Sequence, residues 1–166
     1  MDLEPKVLVL PNICGVEIDL SAVATPSIQP SLQSFYNTIV QDSAPSKAYT
    51  TPSKISISES SKDSRAGQIY THKLQLQFPS NDPLRAKRIT EYLKVRYLYV
   101  KLSTGMVFFF GRNDYYQNSA PKVSHSSNEK ITQVTYAYEA MLPLGFTNGS
   151  FDAQISEDIP INFYNL

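Results

Sequence analysis

Between Gly67 and Gly111 the spacing of apolar and polar residues changes period twice. Leu74, Leu76 and Phe78 alternate with Lys73, Gln75 and Gln77, the period of a strand with one buried face. Pro79 ends the alternation. Asn81-Asp82-Pro83 follows, a capping residue before a proline suited to a first helical turn. Leu84, Ile89 and Leu93, with Ala86 beside them, share one face of a helix predicted over about 82–95, and charge fills the opposite face. From Tyr97 the period of two returns: Leu98, Val100 and Leu102 point one way, Tyr97, Tyr99 and Lys101 the other. Ser103-Thr104-Gly105 reverses the chain, and Met106 to Phe110 is a continuous apolar strand. The stretch reads as strand, helix, hairpin.

Other segments repeat the β pattern. Lys6 to Leu10, KVLVL, is a short strand ended by Pro11-Asn12, and Ile13 to Leu20 continues it with Val16, Ile18 and Leu20 on one face. Leu32 to Val40 fits a helical stripe through Leu32, Phe35, Tyr36 and Ile39, or a strand at its β-branched end. Ile55 and Ile57 face inward in KISIS. Lys130 to Leu142 is the longest strand, with Val134, Tyr136, Tyr138 and Leu142 on one face. Lys122 to His125 reads as loop or short edge strand, and Asn148-Gly149 is a strong hairpin signal. Ile159 to Tyr164 is a last extended segment. Segments 21–30 and 41–53 are read as loop or arm, and 59–66, ESSKDSRA, as a polar hairpin loop too poor in apolar surface to order alone. Seven to nine strands and one helix predict a mainly β (α+β) fold over 1–166 as a single domain. It is an antiparallel β-sandwich or open barrel with one flanking helix and long loops.

Composition narrows the function classes. Lys plus Arg total 15 and Asp plus Glu total 15, so no net field draws in nucleic acid or an anionic membrane. Charged residues make up only 18%, and the chain carries 11 Tyr and no Trp, a composition suited to surfaces covered by other chains. Cys14 is the single cysteine, which excludes an intrachain disulfide and a cysteine metal cluster. The first residues match neither a signal peptide nor a membrane span, so folding in a reducing cytoplasm is expected.

The chemistry-bearing residues form no catalytic constellation. His72 sits on a strand and His125 among serines, neither with a His or Cys nearby at a metal-ligand spacing. No Gly-x-Ser-x-Gly elbow or phosphate-cradling glycine run occurs, and the carboxylates at Glu59, Asp63, Asp114, Glu139, Asp152, Glu157 and Asp158 lie mostly in predicted loops. No catalytic residue, metal or cofactor is expected. The basic cluster Arg85, Lys87, Arg88, Lys94, Arg96 and Lys101 reads first as the solvated face of an amphipathic helix. Its functional reading is a rim that pairs with an acidic surface on a neighbouring subunit, and nucleic-acid contact through a local patch comes third. Tyr97, Tyr99, Tyr115 and Tyr116 read either as cross-strand aromatic pairs or as subunit surface. The candidate subunit interface is therefore Arg85, Arg88, Lys94, Arg96, Tyr97, Tyr99, Tyr115 and Tyr116.

A strand ending in Phe-Pro, a short helix, the hairpin LYVKLSTGMVFFFGRN and the long strand KITQVTYAYEAMLPLGF together resemble small virion proteins of tailed bacteriophages. The likeness spans Ile69 to Phe146 and is to tail-tube, tail-terminator and neck-ring proteins of phages of gut and marine Bacteroidota. It implies a structural subunit without enzyme activity, in a six- or twelve-fold ring around the DNA channel. Its implied partners are other copies of itself and portal, neck or tail proteins, with genomic DNA only passing through and no membrane. Its implied location is the virion, assembled in the bacterial cytoplasm. The resemblance leaves tube, terminator and neck adaptor open. The alternative from the residues themselves is a β-sandwich module that binds carbohydrate or another ligand through tyrosine platforms.

Overall fold

The alternation centred on Leu74, Leu76 and Phe78 becomes the spine of one sheet of a β-sandwich in the computed structural model. The structure describes residues 11–20, 23–24, 36, 39–40, 45–113 and 119–147. Among the described residues nine strands form two antiparallel sheets. In sheet I, β1 (Ile13–Asp19), β4 (Ser46–Lys47), β7 (Tyr97–Leu102), β8 (Val107–Phe110) and β11 (Phe146–Thr147) take the order β11-β8-β7-β1-β4. In sheet II, β5 (Ser56–Ser64), β6 (Gly67–Pro79), β9 (Lys122–Ser127) and β10 (Ile131–Ala140) take the order β5-β6-β10-β9. A two-stranded pair, β2 (Val23–Ala24) and β3 (Ile39–Val40), stands apart. Among the described residues no strand is shared between the two large sheets, the arrangement of a sandwich.

The core fills the space between the sheets. Val16, Ile18, Leu98, Val100 and Phe110 from sheet I meet Leu74, Leu76, Phe78, Val134 and Tyr136 from sheet II. Each such side chain contributes about 1.5–3 kcal/mol by leaving water. The helix α1 (Arg85–Tyr92) is the crossover from β6 in sheet II to β7 in sheet I. Its buried residues are Ile89 and Tyr92, whereas Leu84 and Leu93 are exposed. The helix is thus shorter than 82–95 and turned relative to the predicted stripe. The reason is Tyr92, whose ring stands edge-on to Phe78 at 5.8 Å and whose hydroxyl donates to the Tyr49 carbonyl at 2.8 Å. The Tyr136 hydroxyl donates in turn to the Tyr92 carbonyl at 2.8 Å, tying the helix to sheet II. Burial pushes the Tyr92 phenol up to about 12.

Other departures have local causes. β1 stops at Asp19 and leaves Leu20 exposed. Segment 41–53, read as loop, contains β4 on the edge of β1 and a single 3-10 turn at Pro52–Lys54. β10 ends at Ala140, which takes the inward place expected further along, while Leu142 packs on a different cluster. Arm 21–30 contributes β2, and Val40, at the ambiguous end of 32–40, is in β3. The predicted strands at 6–10 and 159–164 and the Asn148-Gly149 turn lie outside the described residues.

Candidate functional site

Segment 59–66 supplies the most distinctive surface. The polar stretch read as a long loop is strand almost throughout: β5 pairs with β6 from Ser56↔Gln75 to Ser64↔Gly67, so only Arg65 and Ala66 make the turn. Gly67, at φ 115°, takes the positive-φ place, and the Ser64 hydroxyl donates to the Gly67 carbonyl at 2.7 Å and accepts from the Ala66 N–H at 3.2 Å. Backbone pairing orders a segment that has no apolar side chain to bury. β10 reaches only to Ala140↔Tyr70, so the hairpin from Lys62 to Ile69 projects past its neighbour. Every residue from Ser58 to Gln68 is exposed, on both faces of the ribbon. Asp63 and Gln68 hydrogen-bond each other across it, and Lys62 Nζ pairs with Glu139 Oε1 at 2.8 Å near its base.

Where the hairpin enters the sandwich, one histidine is sealed in. His72 is 1% exposed, between Phe110 and Tyr138, with the Tyr138 ring edge-on at 4.8 Å. Its Nε2 lies 2.9 Å from Glu59 Oε2, poorly aligned as a hydrogen bond, and its Nδ1 has no hydrogen-bond partner among the described residues. The same carboxylate oxygen accepts from the Leu144 N–H at 2.5 Å. Burial lowers the imidazole pKa, and the adjacent Glu59 only partly opposes this. Glu59 therefore joins the hairpin base to the chain after β10. The sequence signal was the register of His72 with Leu74; its carboxylate partner, thirteen positions earlier, follows only from the strand pairing Glu59↔His72. His125 is on β9 and exposed.

Among the described residues, those proposed from the sequence as a subunit interface do not share one surface. Tyr97 and Tyr99 belong to a second apolar cluster with Tyr36, Val107 and Phe109 on the outer side of sheet I. Both rings lie within 5.4 Å of the Phe109 ring, centroid to centroid, so they are used within the chain. Tyr36 closes over this cluster and donates its hydroxyl to the Pro143 carbonyl. The cations scatter. Arg85 reaches Thr132 Oγ1 at 3.1 Å and Ser127 Oγ at 2.5 Å. Arg88 pairs with Asp82 and stacks 4.1 Å from the Tyr49 ring centre. Arg96 lies over Tyr97 and donates to the Gly111 carbonyl at 3.3 Å. Lys101 pairs with Glu17 at 2.8 Å and Lys87 approaches Glu91 at 4.0 Å, while Lys94 is exposed. Tyr115 and Tyr116 lie outside the described residues. Sequence reading also missed Arg112, which is fully buried.

The outer face of sheet II is polar and carries Lys73 and Lys122 beside its hydroxyl and amide groups. Ser56, Ser58, Gln75, Gln77, Gln133, Thr135, Ser124 and Ser126 share it by register, and the Gln77 and Gln133 amides are joined at 2.9 Å. At its hairpin end lies an open cleft of about 390 Å³ lined by Thr71, Asn113, Ser119, Lys122, Tyr138 and Glu139. Among the described residues no three His, Cys, Asp or Glu side chains gather as a metal site would require. No helix among them is long and apolar enough to cross a membrane. Comparison with family models, curated proteins and solved structures finds no match to this chain.

Proposed function

We propose that this protein is a non-enzymatic structural subunit that assembles with other copies of itself. The observation that carries the reading is the β5–β6 hairpin, ordered by its own ladder, projecting past β10 and exposed on both faces. A two-stranded ribbon is marginal by itself, and one that buries little in its own chain gains most from contact with another. The resemblance of Ile69 to Phe146 to phage tail-tube, terminator and neck-ring proteins supports the particular setting: a ring around the DNA channel of a tailed bacteriophage. Lys62, Asp63 and Arg65 give the hairpin tip charges of both signs, suited to a neighbour rather than to a polyanion.

Electron microscopy of the purified protein over a range of concentrations tests this reading. Rings or short tubes are expected, and Asp63→Lys with Arg65→Glu disperses them without lowering the melting temperature. A chain that stays monomeric at every concentration and is absent from purified particles overturns it. A second reading, a carbohydrate-binding module, draws on the hydroxyl and amide groups of the open sheet II face. With Tyr97 and Tyr99 buried, that reading has to rest on hydrogen bonds rather than on their rings. Glycan binding lost in Gln75→Ala with Thr135→Ala would favour it.

A further inference from the structure

We propose, resting on the assembly reading above, that the β5–β6 hairpin of one copy docks on the outer face of sheet II of the next, with Asp63 seated between Lys73 and Lys122. Strand register gives the hairpin two faces. Ser60, Lys62, Ile69 and Thr71 continue the outer face of the sheet, whereas Ser61, Asp63, Gln68 and Tyr70 continue the side on which Glu59 meets His72. The charges on that second side are Glu59 and Asp63, both acidic. Glu59 is held at the base by His72 and the Leu144 N–H, which leaves Asp63 as the charge of the projecting part. The Gln68 amide orients the Asp63 carboxylate without neutralising it.

The same register gathers the opposite charge on another surface. Lys73 on β6 and Lys122 on β9 flank Ala137 on β10 in a single cross-strand row, which Ser58 completes. Two strand spacings set the lysine backbones about 10 Å apart. Both long, flexible side chains can therefore meet one carboxylate standing over the Ala137 methyl group. Ala137 and Lys122 line the open cleft of about 390 Å³, so there is room above them. Both lysines are exposed, and neither belongs to an ion pair among the described residues. On this face Lys62, Lys73 and Lys122 stand against the single carboxylate of Glu139, which Lys62 holds at 2.8 Å. Like charges in one row oppose each other, so the row gains from a carboxylate brought by a neighbour. Hairpin and lysine row occupy different surfaces of one subunit, and the contact is accordingly head to tail. Each subunit gives a hairpin and receives one, a heterologous contact that closes into a ring or runs on as a tube.

Charge exchange in the full chain, followed by sedimentation and electron microscopy, tests the docking. Lys73→Glu with Lys122→Glu is expected to weaken association at least about 10-fold while leaving the circular dichroism spectrum unchanged. Adding Asp63→Lys to that variant restores assembly, which a general effect of net charge would not do. Assembly undiminished by the two lysine substitutions overturns the docking and leaves the assembly reading standing, with the hairpin seated elsewhere. Dispersal that Asp63→Lys fails to reverse also overturns it, and hands the lysines to another acidic group or to an anionic ligand. Unaltered protein that stays monomeric at every concentration removes both readings together.

Discussion

The two sheets of this sandwich are built from similar alternating sequences but meet water differently. In β6, His72, Leu74, Leu76 and Phe78 are buried while Lys73, Gln75 and Gln77 face outward. In β7, Tyr97, Leu98, Tyr99 and Val100 are buried in succession. Sheet II has one dry face; the centre of sheet I has two, the second closed by Tyr36 over Phe109, Tyr97 and Tyr99. Tyrosine hides this difference. Its ring is apolar enough for a core and its hydroxyl polar enough for a surface, so alternation of Tyr with Leu reads as one buried face when both are. A chain that replaces outward Gln with outward Tyr has changed the number of layers on the sheet.

That contrast can be broken from either side. Phe109→Ala on the outer face of sheet I is expected to cost about 3–5 kcal/mol, as severe as the about 2–5 kcal/mol for Leu76→Ala in the central core. Chemical denaturation compares them, and a Phe109→Ala cost near that of a surface substitution would return sheet I to a single dry face. Next in size is Gly111→Ala, where a Cβ would lie 2.7 Å from the Arg96 carbonyl oxygen at φ 119°. Strain of this kind costs about 1–3 kcal/mol, read as a lower unfolding midpoint. Gly67→Ala, with nothing within 4 Å, isolates the backbone part of that cost.

His72 sharpens the comparison through pH. Because its folded pKa lies below the 6.5 of the free group, the unfolded chain takes up its proton first on acidification. The stability contribution of the neutral imidazole is complete above pH 6.5 and declines as pH falls from there toward the folded pKa. The slope in this window is at most about 1.4 kcal/mol per pH unit for one group. His72→Phe should flatten it in denaturation at stepped pH; an unchanged slope would place the titrating group elsewhere. The smallest effects belong to the open face: Gln75→Ala should move stability by no more than about 0.5 kcal/mol. Lys62→Ala, in a fully exposed pair, should leave the melting temperature where it is, even though Lys62 holds the Glu139 carboxyl below its ordinary value. A clear drop in either would mean that sheet II is covered after all.

Most of this architecture is legible in the residues. β6, β10 and the β7–β8 hairpin follow from period two and from Gly105, and the crossover helix from the break at Pro79 and the Asn81-Asp82-Pro83 start. Two departures from the sequence pattern share one cause: apolar content is not the measure of order. Ser58 to Ser64 is strand because its backbone pairs, which side-chain polarity does not report. The helix buries Tyr92 and exposes Leu84 and Leu93, because the partners Tyr49, Phe78 and Tyr136 come from three distant segments. The site is less legible still. Glu59 meets His72 only through strand register, and the cations grouped along 85–101 are drawn apart by individual partners.

The pairing of β1 with β7 also sets a timetable. Ile18 lies opposite Leu98, so β1, which meets the two-residue β4 sooner, waits for about eighty more residues before its long partner β7 exists. At ribosomal rates of about 5–20 residues per second, that is a delay of several seconds or more. During it Val16 and Ile18 have no core to enter, while β5 and β6, joined by a two-residue turn, can already close on each other. The hairpin that ends up outermost in the finished molecule is thus among the first parts of the nascent chain able to take its final shape.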